Sequence, residues 1–164
     1  MAIPRPPLLA LDGEEAFAAY QAEFERLYCT QEVRDILGRR VVFPPEACAH
    51  VCFKDQRDDR YRKLSRVWTP ERAARIPWIL AALLTPQEVR PSHQTEGHQA
   101  FLLLVEGDPA TGTAWERFGV YVEPTVPGRV LFVTAFPMDR WYWDDARLKG
   151  PRLYPPPKPR RKRR

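Results

Sequence analysis

Arg117-Phe118-Gly119-Val120-Tyr121-Val122-Glu123, then Pro124-Thr125-Val126-Pro127-Gly128, then Arg129-Val130-Leu131-Phe132-Val133-Thr134-Ala135-Phe136 is the stretch that decides the fold class. Phe118, Val120 and Val122 alternate as in a strand with one buried face. A short link rich in Pro and Gly turns the chain back, so the next run pairs antiparallel with the first. Gln99–Val105, an apolar run just upstream, extends the pair to a three-stranded meander.

Working back toward the N-terminus, the period changes. Thr69 is read as an N-cap and Pro70 as the first helical residue, where its missing N–H costs nothing. Ala73, Ile76, Ile79, Leu80 and Leu83 supply one apolar face, Pro77 should kink the helix, and Thr85-Pro86 ends it. Farther upstream, Asp12 is read as an N-cap followed by Glu14 and Glu15, with Phe17, Tyr20, Phe24, Leu27 and Tyr28 on one helical face. A second short helix is expected from Thr30 to Leu37, stopped by Gly38. Arg40–Phe43 reads as a brief strand, Ala47–Phe53 fits either a strand or a helix with a strand ending near Lys54 preferred, and Asp55–Leu64 reads as a charged loop. Helices first and a strand meander after predict an α+β fold. The expectation is one domain over residues 12–150, with a proline-rich segment (1–11) and a basic tail (151–164) disordered on either side.

Composition narrows the function classes. The 164 residues suffice for one domain with a sizeable core. No apolar run approaches the roughly 18 residues that span a membrane, and Met1-Ala2-Ile3-Pro4-Arg5-Pro6-Pro7 lacks the apolar core of a secretory signal. Three cysteines give no disulfide framework, so a reducing cytoplasm is the expected compartment and no membrane partner is expected. The net charge is +5, yet Lys158, Arg160, Arg161, Lys162, Arg163 and Arg164 alone carry +6, which leaves the rest at −1. Affinity for polyanions is thus expected of the tail, through counterion release, and not of the body as a whole.

Four groups carry candidate chemistry. His50 stands in the otherwise apolar Ala47–Phe53 stretch, where a histidine is more often structural than catalytic. Arg72 and Arg75 sit early in the Thr69–Leu84 helix, an electrostatically unfavourable place for cations unless something anionic lies nearby. Thr134 lies in the last strand and Lys54 follows the His50 segment. Cys48, His50 and Cys52 do not make a zinc site on either reading. On a strand the two cysteines stand roughly 13 Å apart, and on a helix His50 points away from them. Walker, dinucleotide-binding, zincin and serine-hydrolase motifs are absent.

Taken in order, His50-Val51-Cys52-Phe53-Lys54, Trp68-Thr69-Pro70-Glu71-Arg72-Ala73-Ala74-Arg75-Ile76-Pro77-Trp78-Ile79, Leu83-Leu84-Thr85-Pro86-Gln87-Glu88-Val89-Arg90 and Phe132-Val133-Thr134-Ala135-Phe136-Pro137 resemble the phage-type nuclease-like families of the barnase–EndoU–colicin–RelE superfamily. The resemblance covers about residues 40 to 137. It implies helices packed on a four-stranded antiparallel sheet whose open face cleaves RNA without a metal or other cofactor. Residue by residue, it implies His50 as general acid or base, Arg72 and Arg75 as a phosphate clamp, and Thr134 as a hydrogen-bond donor to phosphate. Lys54, Trp141 and the tail residues Arg160, Arg161, Lys162 and Arg163 complete the expected RNA-binding set. It implies RNA as partner and leaves open an antitoxin or a phage structural protein as a protein partner. The same residues also suit a non-catalytic nucleic-acid- or protein-binding accessory of a phage or mobile element. In that reading Trp141-Tyr142-Trp143 stacks single-stranded bases, although the three aromatics suit a plug over the core equally well.

Overall fold

The computed structural model describes residues 2–11, 16–60, 62–148 and 150–156. In chain order the elements begin with α1 (Phe17–Phe24), continued by a π-helical turn (Glu25–Cys29), then β1 (Val33–Arg34), β2 (Arg40–Val42), α2 (Ala47–Cys52), β3 (Phe53–Arg57) and β4 (Lys63–Trp68). There follow α3 (Pro70–Ala73), α4 (Trp78–Leu84), β5 (Glu88–Pro91), β6 (Gln99–Glu106), β7 (Trp115–Pro124), β8 (Arg129–Met138) and α5 (Arg140–Leu148).

The architecture is α+β. The meander β6-β7-β8 forms with antiparallel pairing, as its alternation predicts. The sheet is nevertheless not the expected four-stranded antiparallel one. It has six strands in the order β1-β2-β8-β7-β6-β5 and is mixed, because β2 pairs with β8 in parallel. Both additions, β1-β2 and β5, are two to four residues long, too short to carry a periodic signal in sequence.

One face of the sheet carries the main core. Phe101, Leu103, Val105, Phe118, Val120, Val122, Val130, Phe132 and Ala135 pack there against Tyr20, Phe24 and Tyr28 of the first helix, Val51 and Cys52 of α2, and Trp78, Ile79 and Leu83 of α4. The opposite face is half covered. Ala100, Leu102, Tyr121 and Met138 lie under Trp143 and Ala146 of α5, and the remainder, around Val133, Thr134 and Phe136, faces outward. Gly119 belongs to this face: a Cβ there would stand 2.0 Å from Met138 Cε.

Ala47–Cys52 is a helix, not a strand: Ala47 with Val51 and Cys48 with Cys52 are buried at helical spacing, a period the alternation of Cys48, His50 and Cys52 had masked. Asp55–Leu64 is no simple loop but most of a two-stranded hairpin, β3-β4, exposed on both faces and hence charged on both. Thr30–Leu37 holds β1 and a tight turn in which Asp35 accepts bonds from the Leu37 and Arg39 amides, with Gly38 at φ +79°. The Thr69–Leu84 helix is split by the turn before Pro77 into α3 and α4, and the Thr69 hydroxyl donates to the Val67 carbonyl instead of capping.

The N-terminal segment is also not outside the fold. Ile3 pairs with Val105 at the end of β6, the Trp78 indole N–H donates to the Pro6 carbonyl at 3.2 Å, and the Leu9 amide to the Ala74 carbonyl at 2.8 Å. Arg5 bonds Glu116. Residues 153–154 run along β5 through the Leu153 amide and the Tyr154 carbonyl, both on Val89. The Asp12 cap and the basic run Lys158–Arg164 lie outside the described residues. Among the described residues no helix is long and apolar enough to cross a membrane.

Two carboxylates, the buried Glu88 and the half-buried Glu116, lock the periphery. Glu88 accepts from Arg90 at 2.8 Å and Arg147 at 2.9 Å, tying α5 to β5. Glu116 accepts from Arg5 and from Arg75 at 2.9 Å, tying the N-terminal segment to the α3–α4 turn. Burial alone would raise both carboxyls, but the two arginines at each outweigh it and hold them below the ordinary glutamate range. A depressed carboxyl contributes stability that is complete above its unfolded pKa and lost as pH falls through its folded pKa. Denaturation midpoints should therefore decline as pH drops below the ordinary glutamate range. Glu88→Gln should cost about 2 kcal/mol at neutral pH and flatten the acid limb; urea titrations of both proteins across pH measure this.

Candidate functional site

The open part of the sheet continues into a cleft of about 570 Å³. Its floor is Leu131–Thr134 of β8, one wall is α2 with Ala47 and His50, another is the root of the hairpin with Phe53, Lys54, Asp55 and Arg66, and Arg72, His98 and Glu123 close it. A volume of this size suits one small ligand or one nucleotide of a longer chain.

Local structure explains how the polar groups reach it. β2 pairs with β8 only as far as Val42 opposite Leu131, so the next part of that edge is left to α2. Along the other edge, Tyr121 faces Thr134 while Val122 faces Phe132, which makes Val133 the extra residue of a β-bulge. The bulge turns Thr134 out of the core that holds Phe132 and Ala135. Its hydroxyl donates to the His50 carbonyl at 3.3 Å, long for an O–H···O bond. This contact holds α2 against the strand and leaves the exposed His50 ring in the cleft.

Arg72 is half-buried and its guanidinium lies 4.9 Å from the centre of the Phe136 ring. Burial draws its pKa below the ordinary arginine range, with only Tyr142 and Asp55 opposing electrostatically. It forms no ion pair among the described residues. A desolvated guanidinium backed by an aromatic face and lacking a carboxylate is prepared for an incoming anion.

Arg75 is not part of this site. Its guanidinium pairs with Glu116, donates to the Glu71 carbonyl at 2.7 Å and lies 4.9 Å from the Trp78 ring centre. Three residues beyond Arg72, with the chain turning instead of continuing as helix, it faces the N-terminal segment. Trp141 is 83% exposed on α5 and does not line the cleft, whereas Tyr142 and Trp143 turn inward. Arg160, Arg161, Lys162 and Arg163 lie outside the described residues.

Of the two histidines in the Pro91–Gln99 loop, which in sequence can approach the sheet but better suit a solvent-exposed role, His98 lines the cleft with its Nε2 3.9 Å from Glu123 Oε2. His98 and Glu123 are 25 positions apart and meet because Gln99 pairs with Val122 where β6 begins. Their only signal in the sequence was the adjacency of His98 to a predicted strand.

Charge in the cleft is balanced by count, with Lys54, Arg66 and Arg72 against Glu46, Asp55 and Glu123. Asp55, however, is paired with Lys63 at 3.1 Å, whose hydrogen bond lowers its pKa, and Glu123 stands by His98. Arg66 also reaches Asp55 at 4.0 Å, so Lys54 and Arg72 are the cleft cations without an ion pair among the described residues. Cys48 and Cys52 are buried away from the cleft: contact with Cys52 at 3.8 Å and burial push the Cys48 thiol up, and His50 lies on the other side of α2.

Compared with protein-family models, curated proteins and solved structures, the chain finds no match in any of the three.

The two arginines should separate in experiment. Arg75→Ala leaves Glu116 half-paired and should cost about 2–3 kcal/mol, roughly 4–10 °C in melting temperature. Arg72→Ala loses only a stacking contact, about 1 kcal/mol or less, yet should abolish phosphate-ester binding in the cleft. Thermal melts and nucleotide titrations of both variants check the division.

Proposed function

We propose that this chain cleaves RNA by metal-independent transesterification in the cleft between α2, the hairpin root and β8. The observation that carries the reading is the presence of two histidines, His50 and His98, on one cleft with the unpaired, aromatic-backed Arg72. RNA cleavage by attack of its own 2′-hydroxyl needs one group to take a proton, one to give a proton, and cations for the charge that develops on phosphorus. Each requirement has a residue of the right type.

In this reading His98 takes the 2′-hydroxyl proton, with Glu123 beside the imidazolium that forms. The 2′-oxygen attacks phosphorus, Arg72 and Lys54 neutralise the phosphorane, and His50 gives its proton to the departing 5′-oxygen. The products are a 2′,3′-cyclic phosphate and a 5′-hydroxyl. Thr134 spends its hydrogen on the His50 carbonyl and acts as a positioning residue, a different role from the phosphate contact expected from sequence. The motif order resembling the barnase–EndoU–colicin–RelE superfamily favours the same substrate. Trp141 and the tail would hold flanking RNA, and an antitoxin or a phage structural protein would be the protein partner. Three free cysteines suit a reducing cytoplasm.

The test is cleavage of a mixed-sequence RNA in the presence of a chelator. The wild-type chain should cut and leave cyclic phosphate ends; a 2′-deoxy strand should survive. His50→Ala and His98→Ala should each lose roughly 10²–10⁴ in kcat, and Arg72→Ala roughly 10²–10³, with melting temperatures nearly unchanged for the histidine variants. Activity that vanishes with chelator or persists in both histidine variants would refute the mechanism. Stoichiometric RNA binding without any cleavage would favour the accessory reading instead.

A further inference from the structure

The formal charge of the chain is segregated. Positions 54–67 hold six cations, Lys54, Arg57, Arg60, Arg62, Lys63 and Arg66, against Asp55, Asp58 and Asp59, a net of +3. Taking this +3 and the tail's +6 from the total of +5 leaves −4 on everything else. A surface charged only for solubility would intersperse its signs. Here the net positive charge outside the tail sits on one element, and the other cations are outnumbered by acids.

That element stands apart. β3 pairs only with β4, in a separate two-stranded sheet, and of its ladder only Phe53 and Trp68 at the root pack into the core. Beyond the root, every described ladder residue of both strands is exposed, including Leu64 at 62% and Val67 at 46%. A few cations along a free edge would suffice to deter pairing with another sheet; six exceed that need.

The acids brace the ribbon from within. Asp55 pairs with Lys63, and Asp58 accepts from the Arg60 and Arg62 amides and from the Arg62 guanidinium at 2.8 Å. They fix the turn and the strand spacing while the excess positive charge faces solvent. The root is also a wall of the cleft, through Lys54 and Arg66. From there β3 reaches outward by roughly 13 Å before the turn begins.

We infer that the β3–β4 hairpin is a basic arm that grips the phosphate backbone of RNA beyond the nucleotide seated in the cleft. The inference rests on the proposed cleft reading for the choice of RNA, but its contacts are separate from the chemistry. Arginines are four of the six cations, and a guanidinium binds phosphate oxygens in bidentate fashion. The occupant is a single strand continuous with the one in the cleft.

The experiment uses the full chain and a fluorescent 2′-O-methyl RNA of about 12 nucleotides, which fills an ordinary single-strand site and cannot be cut by 2′-hydroxyl attack. The probes are wild type, a triple variant Arg57→Gln/Arg60→Gln/Arg62→Gln, and the same positions changed to Lys. The Gln triple should weaken binding by up to about a hundredfold at 0.1 M salt and lower the slope of log K against log salt by up to about 2, at about 0.7 per lost contact. The Lys triple should keep most of both, which separates charge from folding. A dinucleotide, reaching only the cleft, should bind wild type and Gln triple equally. Equal RNA affinity of Gln triple and wild type overturns the arm, even if wild type cleaves. Loss of binding in the Gln triple alone, with a wild type that never cleaves, sustains the arm and removes the nuclease. Preference for duplex DNA, or for an acidic protein over the RNA, also overturns it.

Discussion

The parallel pairing of β2 with β8 stops at Leu131, and the site depends on that stop. Had β2 run on, a strand would cover the edge of β8 where α2 now lies. Pro44-Pro45 prevents it, because proline cannot continue a ladder from both sides and bars the preceding residue from helix. The chain then starts α2 beside β8, with Val51 and Cys52 in the core and His50 left at the rim. One extra residue in β8, Val133, brings the Thr134 hydroxyl to the His50 carbonyl, so the floor and wall of the cleft are joined by a hydrogen bond.

Arginine does two kinds of work in this molecule, and the pairing state divides them. Arg75, Arg90 and Arg147 are committed to the carboxylates of Glu116 and Glu88 and fasten distant segments to the sheet. Arg72, half-buried, has an aromatic face in place of a carboxylate. Desolvating a cation without a partner is costly, and such a cost is tolerated where a ligand repays it. The contrast between two arginines three residues apart is what singles out the cleft as the candidate site.

Much of the fold was legible in the sequence where the period was long and uninterrupted. The three strands of the meander came within about two residues of their observed ends, and the Phe17–Tyr28 face was read correctly. What failed was short or doubly readable. Ala47–Cys52 satisfies both periods, and only packing chooses between them. The hairpin carries no apolar stripe because neither face is buried. His50, Lys54, Arg72 and Thr134 do line one cleft, but strict alternation would have put Thr134 beside Phe132 in the core; the bulge is a tertiary feature with no local signature. Arg75 shared every local credential of Arg72, and only the fold separates them. His98 and Glu123 meet through strand register, which a sequence does not display.

The central claim is that one cleft collects a phosphodiester with two histidines and Arg72. Its most direct test is an NMR titration of the isotope-labelled full chain with a 2′-deoxy dinucleotide, which binds but cannot react. The account predicts that the ring signals of His50 and His98, the Arg72 guanidinium and the Thr134 amide shift together with one dissociation constant, while the Arg75 guanidinium and Trp78 indole stay fixed. Shifts confined to the C-terminal basic residues, or His50 and His98 responding with different affinities, would contradict it.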